Sequence, residues 1–210
     1  MQTSIHDSHF ILRRLHSLFG LIPIGGFLVL HIWENGQSHL GAEYFNYYVA
    51  QPIMHTTYLL IIEIVVIALP LLFHAGYGLV IIGSGSAEPF RYRYRRNWLY
   101  WLQRVSGVAI VAFLALHIGL TRVAAWLDPA IYQDLFGYMQ QSLTQPVTLV
   151  VYLLGLWLSV FHLSNGLATA AIAWGLTTNA AAQRRFGYVC LLIGVILGSL
   201  GTHALIGFLP

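Results

Sequence analysis

The chain has 210 residues, 58% of them hydrophobic and 8% charged, with a formal net charge of +3 and a mean hydropathy of +0.71. That composition excludes a water-soluble globular domain, because a fold of this size cannot hide so much apolar surface. The single cysteine, Cys190, excludes a disulfide framework and a thiolate metal centre.

The first element starts within "MQTSIHDSHFILRRLHS", which lacks a cleavable leader pattern: its apolar run follows Arg13 and Arg14 and is long enough to cross a bilayer. That run predicts span one at 15–34, with His31 inside "FLVLHIWENG". Span two is predicted at 57–82 and carries His74 in "FHAGYGL". Span three, at 105–126, carries His117 in "FLALHIGL". Span four, at 147–174, carries His162 in "LSVFHLSNGL", and span five is predicted at 187–208. Pro23 and Pro70 fall inside spans, where neighbouring helices can satisfy the freed backbone groups. The expected fold is an all-α integral membrane protein of five transmembrane helices, four of them forming a cofactor-binding bundle in one membrane domain, 1–210.

All ten basic residues are arginine. Arg13 and Arg14 precede span one, Arg91, Arg93, Arg95, Arg96 and Arg104 lie between or at the ends of spans two and three, and Arg184 and Arg185 lie between spans four and five. That places 2 + 5 + 2 = 9 of the 10 on one side and leaves Arg122 for the other. The positive-inside rule predicts a cytoplasmic N-terminus and an external C-terminus in the cytoplasmic membrane. The net charge is a topology signal and gives no nucleic-acid footprint.

Four consecutive spans each carry one histidine, at intervals of 43, 43 and 45 residues. An ionisable group inside a span is costly and faces a bundle interior or a cofactor. One such residue reads equally well as a helix-to-helix hydrogen bond; four in series do not. Depth sorts them. Spans one and three run outward, with His31 and His117 in their outer halves. Spans two and four run inward, with His74 ~12 Å and His162 ~18 Å from their inner ends at 1.5 Å per residue. Two bis-histidine sites stacked across the membrane are therefore expected. A single tetrahedral zinc site does not fit two depths. Paired axial ligands on two non-covalent b-type haems do, and no CxxCH occurs for covalent attachment. Gly76 and Gly78 after His74, Gly119 after His117 and Gly166 after His162 could clear a helix face for a porphyrin, although small-residue helix packing explains any one of them. Iron with two histidine ligands favours electron transfer over oxygen chemistry.

Other polar residues gather around these levels. Arg14, His16 and Ser17 sit at the inner mouth of span one, and Arg104 and Ser106 at the start of span three. They are candidates for haem propionates or a quinone head group; positive-inside anchoring also explains the arginines. Ser106 lies eleven residues before His117, about 20° away around the helix. Glu63 is likewise eleven residues before His74, on the His74 stripe at the outer level, and Glu34 is three residues after His31. Both acids are candidates for quinol protons; an interfacial Glu34 and a helix-bridging Glu63 are the plainer reading. His6 and His9 belong to a polar tail, His39 and His55 to the first outer loop, and His203 reads as a packing residue without a depth partner.

The chain resembles the di-haem cytochrome b membrane anchors of succinate:quinone oxidoreductases and quinol:fumarate reductases, of the five-helix single-subunit type. The resemblance runs over "RRLHSLFGLIPIGGFLVLH", "FHAGYGL", "QRVSGVAIVAFLALH" and "FHLSNGLATAAIAWG". It implies that helices one and three ligate one haem, and helices two and four the haem nearer the soluble subunits. It also implies a flavoprotein and an iron–sulfur partner at the cytoplasmic face, a quinone substrate that the two-haem type points to as menaquinone, and no dicarboxylate chemistry on this chain. Some relatives of this type carry a Glu two residues before the helix-four ligand for proton compensation; here that residue is Val160. The alternatives are a haem b anchor of a hydrogenase or formate dehydrogenase, or a proton-coupled transporter using the buried histidines and Glu63.

Overall fold

The computed structural model describes residues 2–54, 57–85 and 87–210, excluding the side chains of 2–8, 53 and 54. His55 lies outside the described residues, and so does the side chain of His6. Among the described residues, five helices are long and apolar enough to cross a membrane: His9–Leu40, Leu59–Gly83, Arg95–Leu127, Pro146–Ala173 and Ala180–Ile206. These are spans one to five. The protein is an all-α integral membrane protein. Spans one, three and five begin well before their apolar windows at 15, 105 and 187. The reason is that helix geometry continues through the flanking polar turns, which hydropathy alone leaves out.

Local chemistry sets the helix ends. Pro146 opens span four, where its missing N–H costs nothing. The Asn179 side chain accepts from the Ala182 N–H and caps span five. Gly175, at φ +74°, closes span four; the Leu176 N–H then reaches back to the Ala171 carbonyl. Both mid-span prolines are accommodated by a widened helix. Pro23 lies within the π-helical turn Gly20–Ile24. A second such turn, Glu63–Ala68, ends just before Pro70 and contains Val66, whose carbonyl Pro70 cannot serve.

Spans one to four pack in cyclic order, and span five lies outside the ring against spans four and one. Small residues let the backbones approach. Gly194, Gly198 and Gly201 are buried on span five. A methyl on them would lie 2.8 Å from Ser164 Oγ, 2.6 Å from a Trp157 ring carbon and 2.5 Å from a Leu156 methyl, so span five can seat on span four only with glycine there. Gly25 admits Leu163 of span four against span one in the same way. Val160 is 1% exposed, with its carbonyl against Gly194, so it belongs to the seam with span five.

The ends of the bundle differ. At one end Arg14 lies over the Trp174 ring, Arg95 over Tyr188, Arg96 bonds Gln183, and Arg104 holds the Gly85 and Ile81 carbonyls. These contacts gather arginines of spans one and three at what is called the basic end. The opposite, far end is capped by the short helices between Ala42 and Met54, by Leu135–Leu143 and by the C-terminus. Phe45, Phe136, Met139, Leu143, Tyr152 and Phe208 form its core. The i, i+3, i+7 spacing of Phe136, Met139 and Leu143 gives that short helix one apolar stripe to bury.

Candidate functional site

The four histidines of spans one to four meet in two pairs. His74 and His162 lie with ring centres 6.1 Å apart and planes at 85°. His31 and His117 lie 5.7 Å apart at 78°. The first pair is at the basic-end level and the second at the far-end level.

At the basic-end pair each imidazole is held through Nδ1. The His74 Nδ1–H donates to the His16 carbonyl of span one at 2.8 Å. The His162 Nδ1 lies 3.0 Å from Ser106 Oγ of span three. The Ser106 hydroxyl donates to the Gln103 carbonyl, so it accepts from His162. Gln103 ties the same place down again: its amide donates to the His162 carbonyl at 3.1 Å and accepts from Asn165 at 2.7 Å. Both rings therefore turn Nε2 away from a satisfied Nδ1, the orientation that a metal-ligating imidazole takes from its surroundings.

The far-end pair is held more by rings. His31 stacks on Phe27 and His117 on Phe113, each one turn earlier in its own helix. The nearest polar partners are longer: Asn35 Nδ2 at 3.4 Å from His31 Nε2, and Tyr152 Oη at 3.4 Å from His117 Nδ1. The Asn35 amide makes its shorter bond, 2.7 Å, to the His31 carbonyl.

These pairs fit a metal already held by a macrocycle. Two imidazoles on opposite sides of one metal put their ring centres about 6 Å apart, given metal–nitrogen bonds of about 2 Å. Among the described residues no cluster of three or more His, Cys, Asp or Glu could hold a bare ion. A two-ligand site needs its remaining positions filled by something else.

The glycines packed against the His74 and His162 rings are not the ones that follow the histidines in sequence. Gly76 and Gly119 are exposed, and a methyl on either would meet no neighbouring atom. Gly78 abuts His16, and Gly166 lies against Gln103. The glycines pressed against ligands belong to the facing helices. A methyl on Gly20 of span one would lie 2.6 Å from His74 Nδ1 and closer still to Cε1, and one on Gly107 of span three 3.0 Å from His162 Cε1. A readable signal was present. Gly20 is eleven residues before His31 and Gly107 ten before His117. An eleven-residue step returns to the same face about 16 Å along the helix. Each of these helices thus presents its other level to its neighbour's histidine: Gly20 to His74, Ser106 to His162, and Tyr152, ten before His162, to His117.

The expected propionate and quinone residues divide. Ser106 is 2% exposed and hydrogen-bonded to His162. His16 stacks on His74, ring centres 4.0 Å apart and planes within 3°, with its Nδ1 buried and unpartnered. Arg14 is sandwiched between Phe10 and Trp174, and Ser17 accepts from the Trp174 indole. Arg104 serves carbonyls at the end of span two, and its Nε is buried without a partner. Glu63 takes the plainer of its two expected places, bonded to another helix. The widened turn Glu63–Ala68 rotates it onto span three, where Arg122 grips both carboxylate oxygens at 2.9 and 2.7 Å. Glu34 is half-buried, and its carboxylate has no hydrogen bond or ion pair among the described residues. His203 has a partner that the sequence did not show: it stacks on His39 at 3.6 Å, and His39 Nε2 bonds its carbonyl.

Comparison with known proteins bears on this arrangement. Residues 86–201 match the family model described as the succinate dehydrogenase/fumarate reductase transmembrane subunit. Over 202 residues the chain is 38% identical to the succinate dehydrogenase cytochrome b558 subunit of Bacillus subtilis (strain 168), which covers 96% of this chain and 98% of that protein.

Proposed function

The chain belongs to the family of succinate dehydrogenase/fumarate reductase transmembrane subunits, and on that premise we propose that it holds two b-type haems and carries electrons between an iron–sulfur partner and a membrane quinone. The observation that carries this reading is the pair of bis-histidine sites, with ring centres 6.1 and 5.7 Å apart, at two levels of one bundle. A haem ligated by two histidines supplies a one-electron couple with no open position at iron. The protein supplies the nitrogens: His74 and His162 at the basic end, His31 and His117 at the far end. Ser106 and the His16 carbonyl fix the first two imidazoles. His16 and Arg104, each with a buried unpartnered nitrogen, are the groups placed to receive basic-end propionates. The relative's name, a cytochrome b558 subunit, supports the haem assignment.

The basic end faces the cytoplasm on the positive-inside rule, and there the iron–sulfur and flavoprotein subunits dock. We place the quinone reaction at the far end because the half-buried acids Glu34 and Glu63 lie there. Glu63 is already engaged by Arg122, so the proton-handling carboxylate is Glu34, three residues after His31 and without a partner among the described residues. Replacing it, Glu34→Gln, should slow quinone turnover at least tenfold with haem content unchanged; full turnover in that variant would remove Glu34 from the role. The family match sets aside the hydrogenase, formate dehydrogenase and transporter readings. The deciding experiment is a haem count on the purified complex. Two haems per chain, both released by acid–acetone, are expected. A count of one, or haem left on the polypeptide, would overturn the proposal.

A further inference from the structure

Among the ten arginines, Arg122 is the one placed at the far end, inside span three and half-buried. All three of its nitrogens are engaged. Nε donates to Glu63 Oε1 at 2.9 Å, Nη2 to Glu63 Oε2 at 2.7 Å, and Nη1 to the Tyr132 hydroxyl. Both ends of the pair come from widened turns, Glu63–Ala68 of span two and Gly119–Val123 of span three. Such turns recur at functional positions.

Stability alone is a weak reason for the pair. Desolvating two charges can cost more than their attraction returns, and apolar replacements of such pairs are often neutral or better. Position offers a reason. Arg122 is five residues beyond His117, about 7 Å along the helix, while Glu63 is eleven residues, about 16 Å, from His74. The preceding residue, Thr121, donates to the His117 carbonyl at 2.6 Å, so the ligand and the charged turn share one stretch of backbone. In a medium of low dielectric, charges at this range act strongly on a nearby redox centre. A cation favours the reduced form of that centre and an anion opposes it.

We propose that Arg122 and Glu63 are a charge-compensated pair in which each charge cancels the other's effect on the potential of the far-end redox centre, and that neither acts on the basic-end centre. The proposal rests on the two-haem reading above. The two residues are positioning groups and do not ligate iron.

The test is a redox titration of the whole complex, after a pyridine haemochrome count on every sample. A parent complex with fewer than two haems per chain sinks the underlying reading before any titration is made. With two haems present, Glu63→Gln leaves an uncompensated cation, and the far-end wave should move up. Arg122→Gln leaves an uncompensated anion, and the same wave should move down. The double variant should return close to the parent, and the basic-end wave should hold its place in all three. Single variants that both move the far-end wave in the same direction, or leave it still, overturn the proposal, since a purely structural tie gives no opposite signs. Where a single variant loses the far-end haem, Glu63→Asp and Arg122→Lys decide. They keep the charges and disturb the bidentate geometry, so a parental far-end wave supports the pair's role and a displaced one overturns it.

Discussion

The two histidine sites of this bundle are built differently. At the basic end His74 and His162 are set by hydrogen bonds from neighbouring helices at 2.8 and 3.0 Å, and glycines of those helices press on the rings. At the far end His31 and His117 are set by phenylalanines one turn back, and their polar contacts stretch to 3.4 Å. The first distances lie within the ordinary hydrogen-bond range and the second at its edge, so direction is specified strongly in one site and weakly in the other. Imidazole orientation can thus come from backbone and hydroxyl acceptors or from ring packing. The first route ties each ligand to another helix. The second keeps it on its own helix, where movement of one span disturbs it less.

The comparison breaks most sharply if the sites are not two. Replacing a ligand should abolish one haem and spare the other. His74→Tyr and His162→Tyr should remove the same component of a redox titration, and His31→Tyr and His117→Tyr the other, each leaving one haem per chain. Loss of a common component in His74→Tyr and His117→Tyr would show that pairing does not follow depth.

The next largest effect should come from a methyl group. Gly20→Ala puts a Cβ onto the His74 ring, whose position is already fixed by the His16 carbonyl. Overpacking of this kind costs about 1–3 kcal/mol. It falls here on a ligand, so the basic-end haem should be lost or bound tens of times more weakly. Gly107→Ala, with a 3.0 Å approach, should do less. Gly76→Ala and Gly119→Ala have open space around them and should leave both haems in place. Visible spectra of the four purified variants check the ranking. Equal losses in Gly20→Ala and Gly76→Ala would remove the distinction between glycines that face a ligand and glycines that merely follow one.

That distinction shows where the sequence was legible. The four paired histidines stood out because an imidazole in an apolar run is costly, and isolated helix-to-helix hydrogen bonds do not produce four of them at even spacing. The spans stood out through their apolar runs, apart from their polar first turns. The surroundings of the ligands were harder to read, because they come from facing helices and the rotation of each span is not written in its composition. Ser106 shows this: its place on the His117 stripe was visible, but its partner, His162, sits on span four. Glu63 shows a second obstacle. The stripe argument assumes 3.6 residues per turn, and the π-helical turn beginning at Glu63 breaks that period, sending the carboxylate to Arg122. Once two levels are known to stack, the eleven-residue step recovers Gly20, Ser106 and, within one residue, Tyr152.

A smaller effect separates hydrogen-bond orientation from packing. Ser106→Ala removes the acceptor of the His162 Nδ1–H and leaves that group part-buried with no partner among the described residues. Losing an outer-shell partner of this kind typically costs 10–100-fold in affinity for the metal group. Haem release from the basic-end site should quicken by about that factor, and the far-end site should keep its rate. Ser106→Thr, which keeps the hydroxyl, should recover most of the loss. An alanine variant with parental release would mean that Gln103 and the glycine walls already fix the ring.

The smallest expected effect is the far-end counterpart, Tyr152→Phe. The Tyr152 hydroxyl is 3.4 Å from His117 Nδ1, near the limit at which a hydrogen bond retains directional strength. Its ring does more: 5% exposed within the far-end core, it meets Phe113 and His117 edge-on at 5.7 and 5.5 Å. Phenylalanine keeps those ring contacts and removes only the oxygen. A typical buried hydrogen bond contributes about 1 kcal/mol net, and one this long contributes less, so haem release from the far-end site should change less than about fivefold. Tyr152→Ala removes the ring as well and should release that haem far faster, because the cavity opens against the ligand. A Phe variant as damaging as Ser106→Ala would mean that the phenol orients His117 in the bound state, and the two sites would then be built alike.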